Sequence, residues 1–337
     1  MDMNPNKREQ EKKKSVEFFM MLTNRSILLA KYTIASYNKV FDLLHDKYDL
    51  RLIVYLNAIN KNKYESDLSY ILDHSRPGLL LFVEGKYSNT DFKWTGSNYQ
   101  LKGTEKYYKL PMVTPAEGQD EYFQRSSADY FVTVDDDFEI IDPRFIEVML
   151  NYMEHNDIPC ISTEKSEKFY AFDRYSNAYT ESQPRNCTWF CIYRVSNRLP
   201  ISMCVKDSFF KDNGEVITWK GVESEISWTD YEKVFREESG KRKTWDNGGW
   251  LQEIMRENRP IVSVGDIKDF STCYIHYAAF ASNSRINSPF KTAVYRFLMI
   301  HSLRSNSFFM KKVYRKIRKQ LFPDGERQVT NQRSSLD

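Results

Sequence analysis

The chain has 337 residues, 41% of them hydrophobic and 15% aromatic, enough for one large domain with elaborations around a real core. Its formal net charge of +3 excludes recognition of a polyanion by bulk charge, although Lys and Arg crowd both ends. The five cysteines (Cys160, Cys187, Cys191, Cys204 and Cys273) contain no CxxC pair and no zinc-site spacing, and fit free thiols in a reducing compartment.

No stretch reaches the roughly 18 apolar residues of a membrane span. Met1 to Lys14 is polar and charged without an apolar h-region, so a disordered arm is expected there rather than a signal peptide. The expected location is the cytoplasm, with any membrane contact peripheral, on the inner face of the plasma membrane.

Val16 to Leu22 is a short apolar run that ends in Thr23-Asn24-Arg25, a buried strand followed by a turn. Ser26 to His45 has helical periodicity, and Leu50 to Leu56 predicts a second strand ending at Asn57. A short helix is expected over Tyr64 to His74 and a third strand over Gly78 to Val83, with an irregular stretch from Ser88 to Gly118. Tyr130 to Val134 predicts a strand that runs into Asp135-Asp136-Asp137. Pro143 to His155 predicts a helix with Pro near its start, where Pro is tolerated, and Pro159 to Ser162 a further strand. In the second half, Asn186 to Val205 contributes strands and Glu223 to Lys243 is charged and surface-lying. A helix is expected at Gly248 to Asn258, a strand at Ile261 to Val264, and helix from Lys291 to about Phe322. Strands alternating with helices imply an α/β fold with a mainly parallel sheet covered on both faces, in which ligands bind at the carboxyl ends of the strands.

The acidic triplet lies at such an end. Three adjacent carboxylates repel one another, and a divalent cation relieves that repulsion; Asp suits Mg²⁺ or Mn²⁺ as a hard ligand. Such a cation bridges the diphosphate of a nucleotide donor and offsets charge on the leaving group. The competing reading is that the triplet merely ends a strand and caps the helix at Pro143.

Tyr130 to Pro143, followed by its amphipathic helix, resembles the DxD motif of GT-A glycosyltransferases, and is most similar to family-2-type enzymes that build bacterial surface polysaccharides such as capsule, O-antigen or LOS. The resemblance extends over about residues 16–165. It implies a GT-A (Rossmann-like) domain with a nucleotide-sugar-binding half at 16–165, an acceptor-binding and catalytic half at 166–290, and a helical basic segment at 291–322. The arm 1–15 and the tail 323–337 flank these. It further implies transfer of a sugar from a nucleotide-diphosphate-sugar, a UDP-sugar foremost, to a hydroxyl of a glycan or lipid-linked acceptor, with inversion. By the same resemblance Asp137 binds the metal, Asp135 touches the donor ribose or a metal-bound water, and Asp136 assists. Thr23, Asn24 and Arg25 stand where such enzymes seat the nucleotide, and Arg25 is suited to a phosphate. Asn57 stands where many of them have an aspartate contacting the base.

Two later residues fit this picture. Asp246, in Thr244-Trp245-Asp246-Asn247-Gly248-Gly249-Trp250, precedes a predicted helix, where the resemblance implies the general base that deprotonates the acceptor; the plain alternative is a helix N-cap. Glu223 and Glu253 are weaker substitutes. His276, in Cys273-Tyr274-Ile275-His276-Tyr277, is the implied third metal ligand, against the alternative of a satisfied core histidine.

Phe308 to Phe322 places Met310, Val313, Tyr314, Ile317 and Leu321 on one helical face, with Lys and Arg on the rest. Such a helix either lies on an anionic membrane surface or packs its apolar face on the domain. RNA binding is a third, weaker option, because no nucleic-acid module accompanies the basic patch, and no nucleic-acid partner is expected. Competing functions are a DxD phosphotransferase, against which the motif position and Glu139 argue, and a nucleotidyltransferase, against which the absence of a Gly-rich, Lys-containing loop after the first strand argues. A catalytically inactive scaffold of the same fold in a polysaccharide-assembly complex is the non-enzyme alternative.

Overall fold

The computed structural model describes residues 12–24, 26–108, 111–113, 115–123, 125–166, 169–173, 178–182, 185–195, 206–210, 216–218, 241–245, 252, 259–277 and 289–304. Arg25, Glu223, Asp246, Glu253 and the basic run 308–322 lie outside these residues.

The chain begins its core with β1 (Lys14–Leu22), α1 (Ile27–Leu44), β2 (Tyr48–Leu56), α2 (Lys61–Asp73) and β3 (Leu80–Glu84). A small antiparallel sheet follows, of β4 (Phe92–Trp94), β5 (Tyr99–Leu101) and β6 (Tyr107–Tyr108), and then α3 (Pro115–Phe123). The chain returns to the centre with β7 (Tyr130–Val134), β8 (Phe138–Ile140), α4 (Arg144–Asn156) and β9 (Cys160–Ser162). Two antiparallel pairs come next: β10 (Lys165–Ser166) with β13 (Arg185–Asn186), and β11 (Phe169–Asp173) with β12 (Ala178–Ser182). Then come β14 (Phe190–Arg194) and a three-stranded antiparallel sheet of β15 (Lys206–Phe210), β16 (Val216–Thr218) and β17 (Lys241–Trp245). The short helix α5 (Val264–Ile267), β18 (Tyr274–His276) and helix α6 (Pro289–Arg304) complete the described elements.

The central sheet has six strands in the order β3-β2-β1-β7-β14-β9. Neighbours among β3, β2, β1 and β7 are parallel, and β14 runs antiparallel to both β7 and β9. This is the expected mixed α/β architecture with a mainly parallel sheet flanked by helices.

Side-chain alternation along the strands sorts two cores. Val16, Phe18, Met20 and Leu22 of β1 join Leu50, Leu52, Val54 and Leu56 of β2 on one face. That face is covered by the α1 stripe Ile27, Ala30, Ile34, Tyr37, Val40 and Leu44, whose three- and four-residue spacing is what a helix needs to bury one side. Phe145, Ile146, Met149, Leu150 and Met153 of α4 cover the same face. The alternate residues Phe19, Ile53, Tyr55 and Phe131 meet Ala116 and Phe123 of α3 on the other. Strands buried on both sides read as nearly continuous apolar runs, as β1 and β7 do.

Three expectations are corrected. The arm boundary at residue 15 moves inward, because β1 starts at Lys14. The Ser15 amide and hydroxyl donate to Asp129 Oδ2 at 2.8 and 2.9 Å, pinning the strand start. The stretch Ser88 to Gly118, expected to be irregular, holds β4, β5, β6 and α3. The strand expected at Ile261 to Val264 is only a single bridge between Ser162 and Ser263. The chain turns into α5 there because Ser263 and Asp266 form a capping box: the Ser263 amide and hydroxyl donate to Asp266 Oδ2 at 2.7 and 3.0 Å. No helix of the described residues is long and apolar enough to cross a membrane.

Candidate metal centre

The parallel strand β7 carries buried Tyr130, Phe131, Val132, Thr133 and Val134 to its carboxyl end, where Asp135 begins a tight turn. The turn closes with the Phe138 amide donating to the Asp135 carbonyl at 3.1 Å, and β8 follows at once. β8 pairs with β18 in antiparallel register, Phe138 opposite His276. That pairing brings a residue from late in the chain to the acidic turn.

His276 Nε2 lies 3.3 Å from Asp135 Oδ2 and 3.3 Å from Asp137 Oδ1. One ligand atom from each of Asp135, Asp137 and His276 falls within 4.8 Å of the others. The side chain of Asp135 is 44% exposed, that of His276 20% and that of Asp137 6%, so the group opens to solvent on one side only. Burial opposes charge on His276, but hydrogen bonds to Asp135 and Asp137 outweigh it and push the imidazole up to about 10. Two carboxylate oxygens and one imidazole nitrogen, brought together from the acidic turn and β18, form a donor set that fits a divalent metal cation.

Asp136 is placed differently. Its carboxyl is buried, has Ser26 at the start of α1 as a polar neighbour, and is not one of the three clustered ligand groups. Burial first, and the neighbouring Asp137 next, push it well above the usual carboxylate range. The Thr33 hydroxyl donates to the Asp136 carbonyl at 3.0 Å, and the Ile140 amide donates to the Ser36 hydroxyl at 3.0 Å. Lys39 Nζ reaches the carbonyls of Ile140 and Ile141 at 3.1 and 3.2 Å. These polar positions of α1 therefore stitch the backbone of the acidic turn and β8 to the helix.

The residues expected to seat the nucleotide are tied to the scaffold. Thr23 is buried, and its hydroxyl lies 3.0 Å from that of Ser26. Asn24 donates from Nδ2 to the Ala58 carbonyl at 3.2 Å and accepts the Asn60 amide at 2.9 Å, so it bridges the ends of β1 and β2. Asn57 is buried; its Nδ2 donates to the Val113 carbonyl at 2.9 Å and its Oδ1 accepts the Val113 amide at 3.2 Å. The Asn57 amide thus holds the segment ahead of α3, which accounts for an asparagine at this position. Arg25 and Asp246 lie outside the described residues.

Trp189 was not singled out by the sequence. Its indole stacks on His276, with ring centroids 5.0 Å apart, and its carbonyl accepts the Asp135 amide at 3.0 Å. The only local signal is its place just ahead of the apolar strand β14.

Neither a protein-family model nor a curated protein matches the sequence. Among solved structures, the chain is similar to the mannosyltransferase PcManGT from Pyrobaculum calidifontis in complex with GDP-Man and Mn²⁺, at 10% identity over 56% of this chain and 46% of that one, with a TM-score of 0.35. It is similar to S. aureus TarS 1–349 at 10% identity over 54% and 48%, TM-score 0.33. It is also similar to 4-diphosphocytidyl-2C-methyl-D-erythritol synthase from Anaerococcus prevotii at 10% identity over 54% and 72%, TM-score 0.32. The chain spans about half the length of the first and second of these, and the likeness is partial and remote.

Proposed function

We propose that this protein is a metal-dependent glycosyltransferase of the GT-A kind that uses a nucleotide-diphosphate-sugar donor. The observation that carries the reading is the convergence of Asp135, Asp137 and His276 at the carboxyl end of a parallel strand. Ligands of open α/β sheets bind at such ends. The Asp-x-Asp spacing at residues 135–137 supports the same reading.

Asp135, Asp137 and His276 would hold the cation, Asp137 being the most buried of the three and Asp135 the most exposed. When bound, the cation offsets charge on the donor diphosphate as it leaves. Imidazole ligates a cation only in its neutral form, so binding through His276 would strengthen as pH rises. Thr23, Asn24 and Asn57 shape the floor beside the donor by fixing the loops after β1 and β2, and Arg25, next in sequence, is the residue suited to pair with the phosphates. Asp246 takes the proton of the acceptor hydroxyl, which attacks the anomeric carbon with inversion. The finer assignment is a UDP-sugar donor and a glycan or lipid-linked acceptor in bacterial surface polysaccharide synthesis. The enzyme would work at the cytoplasmic face of the membrane through the basic run 308–322.

The test is release of nucleotide from a panel of nucleotide sugars, with Mn²⁺ or with EDTA, for the wild type, Asp137→Ala and Asp246→Asn. Release from one donor that needs Mn²⁺ and is lost in Asp137→Ala is the expected result. A folded protein that turns over no donor would favour the scaffold. Release of pyrophosphate from a nucleoside triphosphate in the presence of a sugar phosphate would favour nucleotidyl transfer.

A further inference from the structure

An ion pair next to the ligand trio has no part in the chemistry above. Glu139 of β8 has a side chain only 2% exposed. Arg296 of α6 meets it with a two-pronged fork: Nε to Oε2 at 2.8 Å and Nη2 to Oε1 at 2.6 Å. The Tyr277 hydroxyl adds a third bond to Oε2 at 2.7 Å. The guanidinium carbon lies 4.5 Å from the ring centre of Tyr32 on α1. One carboxylate therefore ties together α1, β8, the end of β18 and α6.

This knot is joined to the trio through backbone. Glu139 follows Asp137 by two positions, and its register partner in β18 is Ile275, the neighbour of His276. The Tyr277 amide donates to the Asp137 carbonyl at 2.9 Å. A shift of β8 against β18 would therefore move Asp137 and His276 relative to each other. A carboxylate this buried, left without its cation, is strongly unfavourable, and movement of β8 against β18 toward water is one way to relieve it.

We propose that Arg296 is a positioning residue. Through Glu139 and Tyr277 it holds Asp137 and His276 at the separation a divalent cation requires, and so makes cation affinity depend on the seating of helix α6. This rests on the reading of the trio as a cation site.

The experiment is Mn²⁺ titration of the full chain, followed by the electron paramagnetic resonance signal of free Mn²⁺. The proteins are the wild type, Arg296→Met, Arg296→Lys, and Ile71→Ala as a core-destabilised control in α2. The expected result is binding by the wild type, affinity about tenfold weaker in Arg296→Met, and an intermediate value in Arg296→Lys, which keeps the charge but not the fork. Ile71→Ala should melt earlier yet bind as the wild type does. Undiminished affinity in Arg296→Met, or an equal loss in Ile71→Ala, overturns the proposal. Should Arg296→Met not fold, Arg296→Lys against Ile71→Ala decides by the same criterion. No binding by the wild type overturns the cation site itself and the proposal with it, and is told apart because it does not depend on any substitution.

Discussion

The indole of Trp189 lies on the imidazole of His276 with their planes inclined by 23°. The same residue anchors the Asp135 backbone, so it braces one ligand ring and fixes the start of the turn that holds the other two. Its Nε1 is buried without a hydrogen-bond partner among the described residues. Trp189→Ala should therefore weaken Mn²⁺ binding about tenfold, the scale of losses seen when a group orienting a metal ligand is removed. Trp189→Phe should retain most of the affinity. Competition with a fluorescent metal indicator reads both, and equal affinity in all three proteins would remove Trp189 from the site.

The members of the acidic triplet should differ in their response to cation. Mn²⁺ at a hundred times its dissociation constant stabilises a protein that binds it only when folded by about 2.7 kcal/mol. Thermal unfolding with and without Mn²⁺ should show this increment in the wild type and lose it in Asp137→Ala. Asp136→Asn should keep most of it, because the buried Asp136 carboxyl is not among the clustered ligand atoms. Loss of the increment in Asp136→Asn would mean that the buried carboxyl turns outward when the cation binds.

Acid should weaken the fold at identifiable places. Burial opposes the charge of Glu154, yet hydrogen bonds from Lys14 and Tyr130 hold it below the usual range. Burial likewise opposes Asp266, and Lys165 and Ser263 hold it below. For carboxyls lowered in the folded state, the stabilisation is present above their unfolded values of about 4 and is lost as pH falls through the folded ones. The urea midpoint should hold steady from neutral pH to about 5 and drop below about 4. Glu154→Gln should start lower at neutral pH and fall less steeply. The partners are partly exposed to solvent, so the effect should shrink in high salt.

Two glycines separate flexible from rigid crowding. A methyl at Gly118 in α3 would meet Met21 Sδ at 2.7 Å, the far part of an adaptable side chain. One at Gly85 would meet the Leu56 carbonyl oxygen at 2.8 Å and the Tyr55 ring at 2.9 Å. Gly85→Ala should cost about 1–3 kcal/mol by urea unfolding. Gly118→Ala should cost less, since the gain in helix propensity on replacing glycine partly offsets the crowding. The reverse order would show that the end of β2 yields more readily than α3.

The parallel core was legible because its strands are nearly unbroken apolar runs and α1 carries a clean three-and-four spacing. The small sheet at β4, β5 and β6 was not, since its strands are two or three residues long and rich in exposed polar and aromatic side chains. α3 was hidden by Gly118 and by Pro115 at its start. At the site, the Asp pair announces itself by adjacency to a buried strand. His276 had no local signal of its own, and only the β8–β18 pairing sets it beside Asp135 and Asp137. Glu139 and Arg296 looked like ordinary charges, because a buried pair separated by 157 residues leaves no trace in local pattern.

That separation has a consequence for synthesis. At about 5–20 residues per second, Glu139 leaves the ribosome roughly 8–30 seconds before Arg296 does. During that interval β1, β2, β3 and β7 have all been made and can pair, while the nascent chain carries an acidic group destined for the interior with no counter-charge to meet it. Until α6 is made, the Glu139 carboxylate has to stay in contact with water or take up a proton. A chain truncated before α6 would lack the Arg296 fork that neutralises Glu139.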